Sequence, residues 1–276
     1  MIRGVRSGIR RSVMQDLDND FDPQLSQLCV YRALIPAEKM QNDPDLVNLF
    51  ENPVGQVWMG PSFIAGFPIA NNKYYNLAFH HKEEASLGVW SESGDIVRLR
   101  EIYKDHEPVI QKLLNLVENP LKWALADLPS LPTWSSKKKT AVLVGDSAHA
   151  MLPNAAQGAA QAVEDAAVLA ECLAGMKNTT GLSGALKLYE RARKPRVERI
   201  SEIARSNNAM LFLPDGPAQE GRDNRMKQMR SLQQGSVYGQ TSGGRPMPDM
   251  TAPFPSPPFL EWLYADVVKD VTREIA

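Results

Sequence analysis

Asp146 sits where an apolar run gives way to a stretch of small residues, in TAVLVGDSAHAMLPNAAQGAAQAVEDAAVLAECL from Thr140 to Leu173. A carboxylate there offers two acceptor oxygens, which suits the hydroxyls of a polyol chain. Shortly after it, Gly158 and Ala159 open an Ala-rich helical stretch. The first N–H groups of such a helix have no intrahelical partner, and its dipole places positive charge at that end. Small residues let a ligand come close to that backbone. Glu164 and Asp165 lie deeper in the helix and are expected to cap it or to salt-bridge neighbours. Arg32 follows Tyr31 on the run LSQLCVYRALIP. Its guanidinium could orient an anion, or it could be a solvated strand arginine. His149 reads as a structural histidine bonding the loop, and His80 and His81 read as turn histidines.

Elements must position these groups. Leu25–Met40 reads as a strand that ends at Pro36, with a helical turn from Ala37. Gln56–His81 reads as three short strands, broken at Gly60-Pro61 and at Asn71-Asn72. In HEPVIQKLLNLVE the apolar residues Val109, Ile110, Leu113, Leu114 and Val117 have helical spacing. TAVLVGD reads as a short buried strand ending at Asp146, and the helix after it should begin between Asn154 and Ala160 and stop near Gly175. Leu182–Phe212 reads as a long amphipathic helix that Pro195 kinks or divides, with its apolar stripe on the core. Lys137–Lys139 reads as a solvated loop. Pro214–Pro258 is rich in Gly, Pro, Gln and Ser and reads as irregular, before a short final helix in FLEWLYADVVKDVTREI. The whole is α/β with α+β character, built on a mixed sheet.

Bulk properties narrow the function. The 276 residues carry 31 Lys and Arg against 32 Asp and Glu, for a net charge of -1. That balance implies no general affinity for polyanions and argues against nucleic acid. No apolar run is long enough to span a bilayer. The two cysteines, Cys29 and Cys172, form no CxxC pair, which disfavours a disulfide framework or a metal site and fits a reducing, cytoplasmic setting.

The segment VLVGDSAHAMLPNAAQGAAQAVEDAAVLA resembles the second flavin-binding motif of the FAD-dependent aromatic hydroxylases, the salicylate hydroxylase-like group A monooxygenases. The resemblance implies that Gly145 and Asp146 hold the ribityl chain of FAD. It also implies that Pro153, Gly158 and Ala159 lie beside the flavin ring. The opening RGVRSGIRRSVM resembles an internal family motif that supports FAD and NAD(P)H binding. Gly4, Ser7 and Arg10 match that motif, and Arg3 stands where the family has Asp. YRALIPAEKM resembles the family strand that carries an active-site arginine, which makes Arg32 the catalytic candidate. GFPIANNKYYNLAFHH resembles its substrate-domain strands, with Phe67 where relatives often have Tyr. The implied reaction uses NAD(P)H and O₂ to hydroxylate a small aromatic or phenolic substrate, in secondary metabolism or aromatic degradation.

By this resemblance residues 1–24 are a remnant of the FAD-binding domain. Residues 25–125 form the substrate-domain sheet with its helices. Residues 126–212 carry the second FAD motif, and 213–276 form the tail and final helix. Within the 276 residues there is no GxGxxG phosphate loop. The alternative is therefore a truncated, non-catalytic remnant, or a protein whose nucleotide-binding half comes from a partner chain.

Overall fold

The computed structural model describes residues 4–15, 21–51, 55–83 and 90–233. The final helix expected in FLEWLYADVVKDVTREI lies outside them. The chain divides into two compact units. One comprises Gln24–Asp127 and Ser206–Met226; the other comprises Met1–Pro23, Leu128–Arg205 and Lys227–Ala276.

The first unit is built on one six-stranded sheet: β1 (Gln24–Pro36), β2 (Gln56–Met59), β3 (Phe63–Ile69), β4 (Tyr74–Lys82), β5 (Ser91–Ser93) and β6 (Leu121–Asp127). The spatial order is β2-β3-β4-β1-β6-β5. Every pairing is antiparallel, so the sheet expected to be mixed is antiparallel throughout. Tight turns explain the β2–β3 and β3–β4 pairings, because a parallel pair needs a long crossover. The β3–β4 turn uses left-handed backbone at Ala70, Asn71 and Asn72, two of them residues that tolerate it. His80 and His81, expected at a turn, are instead buried within β4.

One face of the sheet makes the core. Tyr31, Ala33, Ile35, Ile64, Tyr75, Leu77 and Phe79 pack against Leu46 of α2 (Pro44–Glu51), Leu99 of α3 (Ile96–Ile102) and Ile110, Leu113 and Leu114 of α4 (Pro108–Leu116). The α4 residues are those whose helical spacing was legible. Asp95 caps α3, accepting from the N–H groups of Val97 and Arg98 at 2.8 and 3.1 Å. The unit is completed by the end of α7 (Leu182–Leu211) and by α8 (Pro217–Gln233) as far as Met226. Helix α8 corrects the irregular reading of this region. Its sequence is rich in Gln, Arg, Met and Lys with Pro at its first position, all compatible with a helix.

The second unit holds α1 (Gly8–Met14), α5 (Asp146–His149), α6 (Gly158–Ala174) and most of α7. Trp134, Leu143, Val168, Cys172, Tyr189 and Val197 are at its centre. Leu186, Tyr189, Arg193, Val197 and Ile200 form the buried stripe of α7, which runs unbroken through Pro195. Both cysteines are buried and free.

The expected strand in TAVLVGD is not a strand. Its pairing is limited to one bridge, Ser135 to Val142, with Leu143 N–H donating to the Trp134 carbonyl at 2.8 Å. No further ladder partner continues it among the described residues. Asp146 therefore does not end a strand; it begins the single helical turn α5. The longer helix α6 starts at Gly158, inside the expected window, and ends at Ala174.

Candidate functional site

Gly145 makes the turn into α5. Its φ of +57° is left-handed, and a Cβ placed there would lie 3.1 Å from the Cβ of Ala162. Both conditions select glycine. The Gly145 N–H donates to Asp165 Oδ2 at 2.8 Å. The same carboxylate oxygen lies 2.6 Å from His149 Nε2, and Oδ1 accepts from Arg193 Nε at 2.8 Å. Burial pushes the Asp165 carboxyl up, but the His149 and Arg193 contacts outweigh it and hold it below the usual carboxylate range. Glu164, one residue earlier, pairs with Arg193 at 2.5 Å and Arg196 at 3.0 Å. The expected salt-bridging role of Glu164 and Asp165 is what the structure shows, and His149 does bond the joint.

Above this buried hub the surface is open. Asp146 is exposed, and among the described residues its carboxylate makes no hydrogen bond or ion pair. Gly4 lies against it, with the position of a Gly4 Cβ 3.7 Å from Asp146 Cβ. Pro153 is exposed in a short 3₁₀ turn, Pro153–Ala155, and Ala156 follows in left-handed backbone at φ +52°. Gln157 precedes α6 without capping it by its side chain, and its carbonyl accepts from Gln161 N–H. The N–H groups of Gly158, Ala159 and Ala160 are thus at an uncapped helix start. Gly158 is half-buried, Ala159 and Ala160 are exposed, and nothing lies within 4 Å of a Gly158 Cβ position. An open carboxylate and a row of accessible N–H groups suit a ligand with both hydroxyls and an electron-rich edge.

Arg10 is placed differently from an anion-binding side chain. It is buried, and its guanidinium donates to three backbone carbonyls: Phe21 at 3.1 Å, Ser147 at 3.2 Å and Val5 at 2.7 Å. These bonds tie the N-terminal helix to α5. Burial lowers its pKa, and Asp22 opposes that shift. Arg3 lies outside the described residues.

Arg32 belongs to the other unit. Strand alternation puts Tyr31, Ala33 and Ile35 in the core and Arg32 on the opposite face of the sheet, where it is exposed. It stands opposite Ala78 on β4 and Leu121 on β6. Leu34, Val57, Phe67, Leu121 and Trp123 are all exposed large apolar residues. By the same register they share the face of Arg32. Phe67, noted in the sequence for lacking a phenolic hydroxyl, is in register with Asn76.

The strand β6 was not read from the sequence, although LKWALAD alternates Leu, Trp and Leu with Lys and Ala and so carries the period-2 signal. The pairing of Asp165 with Arg193 spans 28 residues and left no local trace. Among the described residues no group of His, Cys, Asp and Glu could hold a metal ion. No described helix is long and apolar enough to cross a membrane.

Residues 133–204 match the FAD binding domain family. They contain the Gly145–Asp146 joint, α6 and the Arg193 side chain that braces it. The joint and the open helix start thus lie in a segment of the FAD binding domain family, and the chain is similar to FAD-dependent monooxygenases. It is 31% identical over 224 residues to the FAD-dependent monooxygenase OpS4 of Beauveria bassiana, a match covering 81% of this chain and 52% of that protein. It is 32% identical over 225 residues to the 3-amino-4-hydroxybenzoate 2-monooxygenase PtnB3 of Streptomyces platensis, covering 81% and 53%. The chain thus spans about half the length of these curated relatives. Its fold matches a salicylate hydroxylase solved as a substrate complex, with a TM-score of 0.75 and 20% identity over 99% of this chain and 62% of that one.

Proposed function

We propose that this chain carries the flavin-ring and substrate portions of an FAD-dependent, NAD(P)H-using monooxygenase. Its substrate is a small aromatic or phenolic compound, met in secondary metabolism or aromatic degradation, and its setting is the cytoplasm. The observation that carries the reading is Asp146: an exposed carboxylate without a partner among the described residues, in the same matched FAD-binding segment as the uncapped start of α6.

The roles follow from the residues. Asp146 accepts hydrogen bonds from the ribityl hydroxyls, and Gly4 and Gly145 leave room for their approach. The N–H groups at Gly158 and Ala159, with the α6 dipole, favour negative charge on the ring's pyrimidine edge. Pro153 fixes the backbone beside the ring. Arg10 acts at one remove, by holding the Ser147 carbonyl and so the turn that carries Asp146. When bound, FAD supplies the redox chemistry that activates O₂. Arg32 is a fixed charge for an anionic group of the substrate, and the apolar residues on its face exclude water from that substrate.

A second reading concerns the nucleotide end of FAD. The absence of GxGxxG within these residues favours a nucleotide-binding segment that lies outside them, in a partner chain or elsewhere. The test is an FAD titration of the purified chain followed by flavin fluorescence. Asp146→Ala is expected to weaken binding about tenfold, the loss of roughly one charge-assisted hydrogen bond. Unchanged affinity in Asp146→Ala would overturn the assignment of the joint.

A further inference from the structure

The second unit contains a cavity of about 210 Å³ that the proposed function does not use. Every residue lining it belongs to that unit. Its floor is buried: Leu131, Trp134, Ala148, His149 and Ser201 are at most 7% exposed. Its rim is open, since Ser130, Glu202 and Arg205 are exposed. One wall is apolar and comes from the Leu128–Leu131 loop and the Trp134 indole. The other is a single face of α7, where Glu198, Ser201, Glu202 and Arg205 follow helical spacing.

His149 brings an unused nitrogen to this floor. Its Nε2 lies 2.6 Å from Asp165 Oδ2, while its Nδ1 is buried and has no hydrogen-bond partner among the described residues. The Asp165 carboxyl is held below the usual carboxylate range, so it can only accept, and Nε2 must carry the proton of that bond. The charges of Asp165 and Glu164 are already matched by Arg193 and Arg196. That balance leaves the imidazole neutral, with Nδ1 as an acceptor. Buried polar groups are nearly always satisfied, so this acceptor needs an explanation. The Trp134 ring lies 5.2 Å from the His149 ring, so a large aromatic surface and the acceptor's ring border the same space.

The charged rim does not call for a charged occupant, because its groups serve one another. Glu198 accepts from the Ser130 hydroxyl and pairs with Lys194 at 2.6 Å. Glu202 pairs with Arg199 at 2.6 Å. Arg205 Nη2 donates to the Leu128 carbonyl at 3.3 Å. Size sets a further limit. A cavity of about 150 Å³ is enough to take up benzene, so this one admits a single ring or two fused rings.

We propose that this cavity is a binding site for a small uncharged heteroaromatic molecule, which lays its ring on Trp134 and donates an N–H to His149 Nδ1. Trp134 favours a flat aromatic body. The buried acceptor adds a demand for the donor, because an analogue without it leaves Nδ1 unpaired. The site stands independently of the flavin reading, since none of Asp146, Pro153, Gly158 and Ala159 lines the cavity.

The experiment is calorimetric titration of the chain with indole and with benzofuran, two probes of the same shape that differ in having or lacking the N–H. The wild type is expected to bind indole at least tenfold tighter than benzofuran. Ser201→Leu places a branched side chain in the cavity from α7 and is expected to weaken indole binding at least tenfold. His149→Phe keeps a ring but removes the acceptor, and is expected to bring the ratio of the two affinities to near one. If His149→Phe fails to fold, the Nδ1 resonance of His149 in the wild-type protein serves instead. It is expected to move when indole is added and to stay in place with benzofuran. Indole binding no tighter than benzofuran, indole binding unchanged by Ser201→Leu, or a preference for indole that leaves the Nδ1 resonance still or survives His149→Phe would each overturn the inference.

Discussion

The Asp165 carboxylate lies 2.6 Å from His149 Nε2, and neither side chain reaches solvent to any useful degree. This contact joins the first turn after Gly145 to the middle of α6. The Gly145 N–H and the Arg193 guanidinium use the same carboxylate, so one buried anion fixes the whole joint. Asp165→Leu removes the anion and leaves the fully buried Arg193 with only Glu164 and Gln161. A loss of about 3 kcal/mol is expected, in the range for breaking a buried pair. Urea denaturation measures it, and a loss below about 1 kcal/mol would show that Glu164 alone suffices for Arg193.

Gly145→Ala tests the turn. At φ +57° an L-residue costs about 1–2 kcal/mol. The added methyl also presses on Ala162 at 3.1 Å, which α6 can relieve only by moving. The expected outcome is a fall of several degrees in Tm together with weaker flavin binding, since Asp146 is the next residue. A variant with wild-type Tm would mean that the strain is relieved elsewhere.

Acid should destabilise the protein through β4. The His80 imidazole is near 4 when folded against an ordinary value of 6.5. Between those values the unfolded chain binds more protons than the folded one, so stability is complete above about pH 6.5 and falls as pH drops toward 4. The span is at most about 3 kcal/mol for His80. Burial lowers the His81 imidazole too, against an opposing hydrogen bond to the Glu83 carboxylate, and adds in the same direction. The depressed Asp165 carboxyl acts in a lower window, below the ordinary carboxylate value, and is separable from the histidines. Chemical denaturation at pH 7, 5.5 and 4.5 is expected to show the decline, with a shallower one in His80→Phe. Parallel pH profiles for the two proteins would assign the decline to other groups.

Much of this was legible in the residues because it is local. The turns at Gly60-Pro61 and Asn71-Asn72 and the helical spacing in α4 are properties of short windows, and so is the start of α6 after Gln157. The roles of Asp165 and Arg193 are not local, since 28 residues separate them and only packing brings them together. TAVLVGD reads as a strand because apolar β-formers favour one, but a strand exists only with a ladder partner, and a single bridge to Ser135 is what the described chain supplies. His80 and His81 looked like turn residues because the polar pair follows Phe79 near Lys82. The strand runs on to Lys82 because β1 extends alongside to Leu28. Antiparallel pairing of β6 with β1 likewise depends on the long excursion through α3 and α4, which no pattern in LKWALAD announces.

In the proposed function Asp146 and the start of α6 address the ribityl chain and the ring, and neither is assigned to the pyrophosphate or the adenosine. Arg10, whose guanidinium could have met a phosphate, already donates to three carbonyls. Breaking those bonds to reach a phosphate would release the N-terminal helix from Ser147. The chain of 276 residues is therefore expected to bind FMN and FAD with the same affinity, within about twofold, and both weakly. AMP is expected not to compete with either. Asp146→Ala should weaken FMN and FAD by the same factor, because the contact it removes is common to both. Fluorescence titration with the three ligands checks all of this in one series. FAD binding tighter than FMN by more than about tenfold, roughly 1.4 kcal/mol, would show that the chain does grip the adenine nucleotide and would locate a phosphate site within these residues.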